Sequence, residues 1–141
     1  MDTLYLSGRP ATPEDARQLT LITELLRDYA FPVVASFERF PADCLTPDLE
    51  SPIRDGIHHT VMMVGVFFGN TLDPVTCYEL TCAHQAAIPI AAVCAPALNG
   101  RPPEELPAAI REAMVRLIDL PGDPDLLINP LISVINRHRL V

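Results

Sequence analysis

One carboxylate, Glu79, stands in a stretch, residues 61–93, whose other side chains are apolar or neutral apart from Asp73 and His84. The stretch reads as a buried strand, a polar loop, a short helix and a second buried strand. Glu79 falls in the second turn of that helix, close enough to its positive end for an anion to be stabilised. A carboxylate aimed into a crevice can stabilise positive charge on a ribosyl carbon, or attack that carbon and form a covalent intermediate. Glycoside hydrolysis uses the same logic through an oxocarbenium-like transition state. A capping or salt-bridging Glu on the surface explains the same residue equally well.

Other residues could complete such a site. Arg9 follows the first strand directly, and Gly8 lets a backbone approach closely. A guanidinium placed there can meet a phosphate or carboxylate through two hydrogen bonds. Arg39 occupies the matching position after the second strand. Ser7 and Ser36 end their strands and could bond ribose hydroxyls, although strand-end turns also favour Ser. Tyr78 could stack on a base or simply pack. Asn70 could touch substrate but, like Asp73, is better explained by a turn or helix cap. His58 and His59 suit the end of a helix, where imidazolium is favourable. Glu38 is the one further carboxylate considered for the crevice.

Composition removes several classes. The chain has 141 residues, 49 % of them hydrophobic, and a formal net charge of −8. Such a charge argues against a nucleic-acid groove, which needs a clustered basic surface. No apolar run approaches the roughly 18 residues a membrane-spanning helix needs. No charged leader precedes the first apolar stretch, so a cytoplasmic protein is expected. All ten basic residues are Arg, which leaves no Lys for Schiff-base chemistry. Cys44, Cys77, Cys82 and Cys94 show no paired spacing, so neither a zinc site nor disulfides are expected. The Gly-rich dinucleotide fingerprint, the Walker loop and the Gly-x-Ser-x-Gly elbow are absent. An aspartyl phospho-receiver would need acidic residues where Ser7–Arg9 and Phe68–Gly69 stand.

The elements that must position these residues alternate between strand and helix. Residues 4–7 form a short strand ending at Gly8. Thr12 caps a helix over about 13–29, with Leu19, Ile22, Leu26 and Tyr29 at helical spacing. A second strand covers 31–36, and 37–50 reads as loop. Pro52 opens a short helix to about residue 57, and 60–68 is the third strand. Asp73–Pro74 starts a helix through about residue 86, and 88–94 is the fourth strand. Residues 98–107 are loop, 108–118 a helix, 126–129 a fifth strand and 131–138 a terminal helix. This alternation predicts a single domain over 1–141, with right-handed crossovers and helices on both faces of a mostly parallel sheet. The expected fold is a flavodoxin-like three-layer α/β sandwich with strand order 2-1-3-4-5. Its switch point would gather Gly8–Arg9, Ser36–Arg39 and the segment from Gly69 to Glu79 around one crevice.

Leu4–Arg9 (LYLSGR) resembles the opening strand of TIR-like domains and of nucleoside 2-deoxyribosyltransferase-like N-glycosidases. GNTLDPVTCYELTCAHQAAIPIAAV, residues 69–93, is similar to the TIR-like signature, and residues 99–107 to a Gly/Pro loop that follows it. The resemblance spans roughly residues 3–110. It departs from the families in the spacing of Cys77 to Glu79, in the lack of Trp, and in His58–His59 replacing an acidic residue. It implies that Glu79 is the catalytic glutamate of an enzyme that cleaves or transfers at an N-glycosidic bond of a nucleotide or nucleoside. NAD⁺ would serve as substrate rather than cofactor, and suits a one-carboxylate site because nicotinamide leaves as a neutral molecule. No cofactor or metal is implied. The competing expectation is a non-catalytic TIR-like interaction or nucleotide-sensing domain. A homo-oligomer is expected from the apolar surplus.

Overall fold

The apolar runs at the centre of the chain become strands buried along their whole length, as expected for a parallel sheet covered on both faces. The computed structural model describes residues 2–41 and 44–139. Its elements follow in the order β1 (Leu4–Ser7), α1 (Pro13–Asp28), β2 (Val33–Ala35), α2 (Ser36–Arg39), α3 (Pro47–His58), β3 (Met62–Phe67), α4 (Pro74–Gln85), β4 (Ile90–Cys94), α5 (Ala108–Ala113), β5 (Arg116–Asp119) and α6 (Ile128–Arg139). The five strands pair in parallel in the order β2-β1-β3-β4-β5. The three-layer α/β fold expected from the alternation is the one observed.

Side chains on successive strand residues point to opposite faces, and the two faces carry separate cores. Leu4, Leu6, Val64, Val66 and Val93 pack with α1 and α6 through Leu19, Ile22, Leu131 and Ile135. Tyr5, Met63, Phe67 and Ala92 pack with α3 and α4 through Ile53, Ile57, Val75 and Leu80. Gly65, opposite Ser7 in the β1–β3 register, leaves room for the Phe67 ring and Leu80. A Cβ there would sit 2.9 Å from that ring.

Three boundaries differ from the sequence reading. The fifth strand is Arg116–Asp119, not 126–129. Ile110, Met114, Leu117 and Ile118 fit a helical period, but β4 has an unpaired edge, and Val115 N–H and Leu120 N–H bond the Ile90 and Cys94 carbonyls at 2.9 and 2.8 Å. Residues 126–129 instead run from a 3-10 turn into α6. There Asp123 caps the turn, and Pro130 falls in the first turn of α6, where its missing N–H is tolerated. Finally, the expected loop over 37–50 holds α2 and the start of α3, which begins at Pro47 and keeps Pro52 inside it. Ala42 and Asp43 of that segment lie outside the described residues. Among the described residues, no helix is long and apolar enough to cross a membrane.

Candidate active site

Strand alternation places Tyr5 and Ser7, two residues apart on β1, on the face covered by α4. The buried stripe of α4 includes Val75, Thr76, Glu79, Leu80, Cys82 and Ala83, so Glu79 faces the sheet and is 0 % exposed. Ser7 Oγ donates to Glu79 Oε1 at 2.9 Å. The Tyr5 hydroxyl donates to Oε2. Both carboxylate oxygens are therefore held by hydroxyls from one strand.

Ser36, buried at the end of β2, joins the same group. Its Oγ accepts from Arg9 Nη2 at 3.2 Å. Arg9 Nε in turn lies 3.4 Å from Asp73 Oδ2. The Arg9 side chain thus bridges the ends of β2 and α4, and it is mostly covered. Asp73 caps α4, accepting from Thr76 N–H at 2.9 Å and from the Thr76 hydroxyl at 2.6 Å.

Burial is the dominant influence on these groups. It pushes the Glu79 carboxyl above its usual range; the hydroxyls of Ser36, Tyr5 and Ser7 and the Arg9 charge oppose it without cancelling it. The Tyr5 hydroxyl is also pushed up, first by burial and then by the neighbouring Glu79 charge. Environments of this kind cluster at functional sites.

Beside this group opens a crevice of about 440 Å³ at the C-terminal ends of β1 and β3. Gly8, Arg9 and Asn70 line it, together with Thr12 and Asp15 from the start of α1 and Asp73 and Thr76 from the start of α4. This is the switch point of the sheet, where ligands of open α/β folds bind. Gly8 has φ +138°, and a Cβ on it would meet the Val66 carbonyl oxygen at 2.5 Å. Only glycine lets the chain turn here so close to β3. Leu72, which also lines the crevice, donates its N–H to Glu105 at 2.8 Å.

The residues singled out in the sequence separate into two groups. Ser7, Gly8, Arg9, Ser36, Asn70 and Glu79 come together at or beside the crevice. Arg39 does not: it lines a different shallow hollow with Arg27 and Glu38, and its guanidinium stacks on Phe40 at 5.7 Å. The one-turn helix α2 carries it past the strand end. Tyr78 is also elsewhere, because the next residue on a helix points about 100° away. Its hydroxyl donates to the Glu50 carbonyl at 3.2 Å and accepts from Arg54 at 3.5 Å, on the α3 side. Glu38 pairs with Arg27 at 3.4 Å on the surface. Tyr5 and Asp15 were missed as site residues. The two-residue spacing of Tyr5 and Ser7 was the available signal for the first. Among the described residues, no three His, Cys, Asp or Glu side chains gather as metal ligands.

Neither a family model nor a curated protein sequence matches this chain. Solved structures do. A CMP N-glycosidase of Clostridium botulinum superposes with TM-score 0.66 at 15 % identity, over 94 % of this chain and 99 % of that one. A 2-deoxyribosyltransferase from Bacillus psychrosaccharolyticus gives TM-score 0.62 at 16 % identity, over 90 % of both chains. A conserved protein from Enterococcus faecalis gives 0.53 at 18 % identity, over 66 % of this chain and 63 % of that one. The chain therefore shares the fold of these solved structures, among them a CMP N-glycosidase and a 2-deoxyribosyltransferase.

Proposed function

We propose that this chain cleaves the N-glycosidic bond of a nucleotide or nucleoside, or transfers its ribosyl group, with Glu79 acting at the ribosyl carbon. The observation that carries this reading is a fully buried carboxylate, held by two β1 hydroxyls, beside the crevice at the sheet's switch point. Water-free surroundings strengthen the attraction between a carboxylate and a developing oxocarbenium ion. Of the solved structures of this fold, one is named a CMP N-glycosidase and another a 2-deoxyribosyltransferase.

In the proposed step a Glu79 oxygen bonds to the anomeric carbon as the C–N bond breaks. The electron pair leaves with the base, which takes up a proton from solvent. A water molecule or acceptor group then displaces Glu79, releasing its own proton and freeing the carboxylate. Tyr5 and Ser7 hold the carboxylate in place throughout. Glu79 is covered in this conformation, and Arg9, whose charge acts on it, lines the crevice beside it. Asp15 and Asp73 line the crevice as acceptors for sugar hydroxyls. Their presence removes the argument for NAD⁺ from a lack of acids, and a crevice of this volume sits at the small end of ligand sites.

The test is release of free base from pyrimidine and purine nucleotides, nucleosides and NAD⁺ by the purified chain. Glu79→Gln is expected to lower turnover by about 10²–10³-fold or more, on the scale of losing a preorganised charge partner. Unchanged turnover in that variant overturns the role of Glu79. The complete burial of Glu79 favours one second reading, a nucleotide-binding domain without chemistry. Saturable nucleotide binding with no product from any substrate would establish it.

A further inference from the structure

Beyond Asn70 the crevice meets a second hollow of about 580 Å³, formed by the loop after β4 and the side of α5. Asn70 borders both. Arg101 and Arg111 line the second hollow. Arg111 donates through Nε to the Leu106 carbonyl at 3.0 Å, which fixes its fork in place. Among the described residues, neither guanidinium has a carboxylate within ion-pair distance, whereas Arg9, Arg17 and Arg27 each do. Glu104 and Glu112 stand at the same rim without pairing them.

The two compartments differ in chemistry. The crevice offers the side-chain oxygens of Asp15, Asp73, Thr12 and Thr76, which cap α1 and α4 and keep further lone pairs for a polyhydroxylated sugar. Its one cation, Arg9, is already neutralised by Asp73. The second hollow offers two guanidiniums without a carboxylate partner, whose planar forks match phosphate oxygens. We infer that the Arg101–Arg111 hollow seats the phosphate-bearing arm of the substrate, so that the chain selects nucleotides over nucleosides. This rests on the proposed reading that the crevice takes the sugar. The Glu105–Leu72 hydrogen bond holds the two compartments together, tying the loop of Arg101 to the loop of Asn70.

The shared chemistry is phosphate, in a mononucleotide or in the diphosphate bridge of NAD⁺. Calorimetric titration of the full chain with a nucleoside, its 5′-monophosphate and NAD⁺ tells the sources apart. The monophosphate or NAD⁺ is expected to bind at least about tenfold more tightly than the nucleoside, as charge-assisted hydrogen bonds imply. Arg101→Glu and Arg111→Gln are each expected to erase most of that preference while leaving nucleoside affinity unchanged. Unaltered melting temperatures in both variants guard against misfolding, and inorganic phosphate should compete with the nucleotide but not with the nucleoside. Equal affinity for nucleoside and nucleotide, a preference surviving both substitutions, or no binding of any ligand overturns the inference. If the Arg-dependent preference holds but no base is ever released, the anion seat stands and the glycosidase reading falls.

Discussion

Glu79 holds its proton more firmly in the folded chain than a carboxylate does in water, because burial outweighs three hydroxyl hydrogen bonds and the charge of Arg9. The folded state therefore binds more protons than the unfolded state at pH values above the usual 4.5. Stability from this residue is greatest below that value and is lost as pH rises through the raised folded pKa. Glu79→Gln should lack that decline, so the melting temperature of the variant, relative to the parent, should climb as pH rises from 4.5 upward. A constant difference between the two melting curves from pH 4 to 8 would contradict this assignment. Tyr5→Phe removes a hydrogen bond that favours the ionised carboxylate. If turnover requires that ionised form, the rising limb of its pH profile should move to higher pH in this variant, a shift that a purely structural role for Tyr5 would not give. Cys94 shows the same physics. Burial, helped by the charge of Asp119, pushes its thiol up to about 11, which leaves it protonated and unreactive at neutral pH.

Elements deliver these groups with little freedom. β1 is four residues long and ends at Gly8, whose positive φ lets the chain turn over β3 without collision. Gly8→Ala places a methyl 2.5 Å from the Val66 carbonyl oxygen and forces a conformation that L-residues avoid. It should cost about 1–3 kcal/mol in urea denaturation, the range for such backbone strain, and should disturb Arg9, the next residue. α4 is set by Asp73 at its cap and Pro74 in its first turn, a start legible in the sequence. Glu79 could be placed in the second turn of that helix from these two residues alone. The strands and helices with caps and unbroken apolar runs were likewise legible. β5 was not, because four residues beside an open edge carry no periodic pattern of their own, and Leu117 is left 45 % exposed.

Across the whole molecule the sheet separates two apolar cores. The α4 face carries Glu79 and its hydroxyl partners, whereas the α1–α6 face is almost wholly apolar. Ile135, 1 % exposed on α6, belongs to the second face. Ile135→Ala should cost about 2–5 kcal/mol of stability while leaving nucleotide affinity, measured under folded conditions, unchanged. A parallel loss of affinity would mean that the two faces are coupled through the sheet. The amino-acid sequence by itself determined the first four strands and the helix that carries Glu79, since buried apolar runs and helix caps are local signals. It also placed Ser7, Gly8, Arg9, Ser36 and Asn70 at the C-terminal end of the sheet. Only the tertiary structure decided that Tyr5 meets Glu79, that Arg39 and Tyr78 turn away, and that Arg101 and Arg111 share a hollow bordered by Asn70. These are contacts between segments distant in the chain, and they depend on strand register and side-chain direction, which no local pattern encodes.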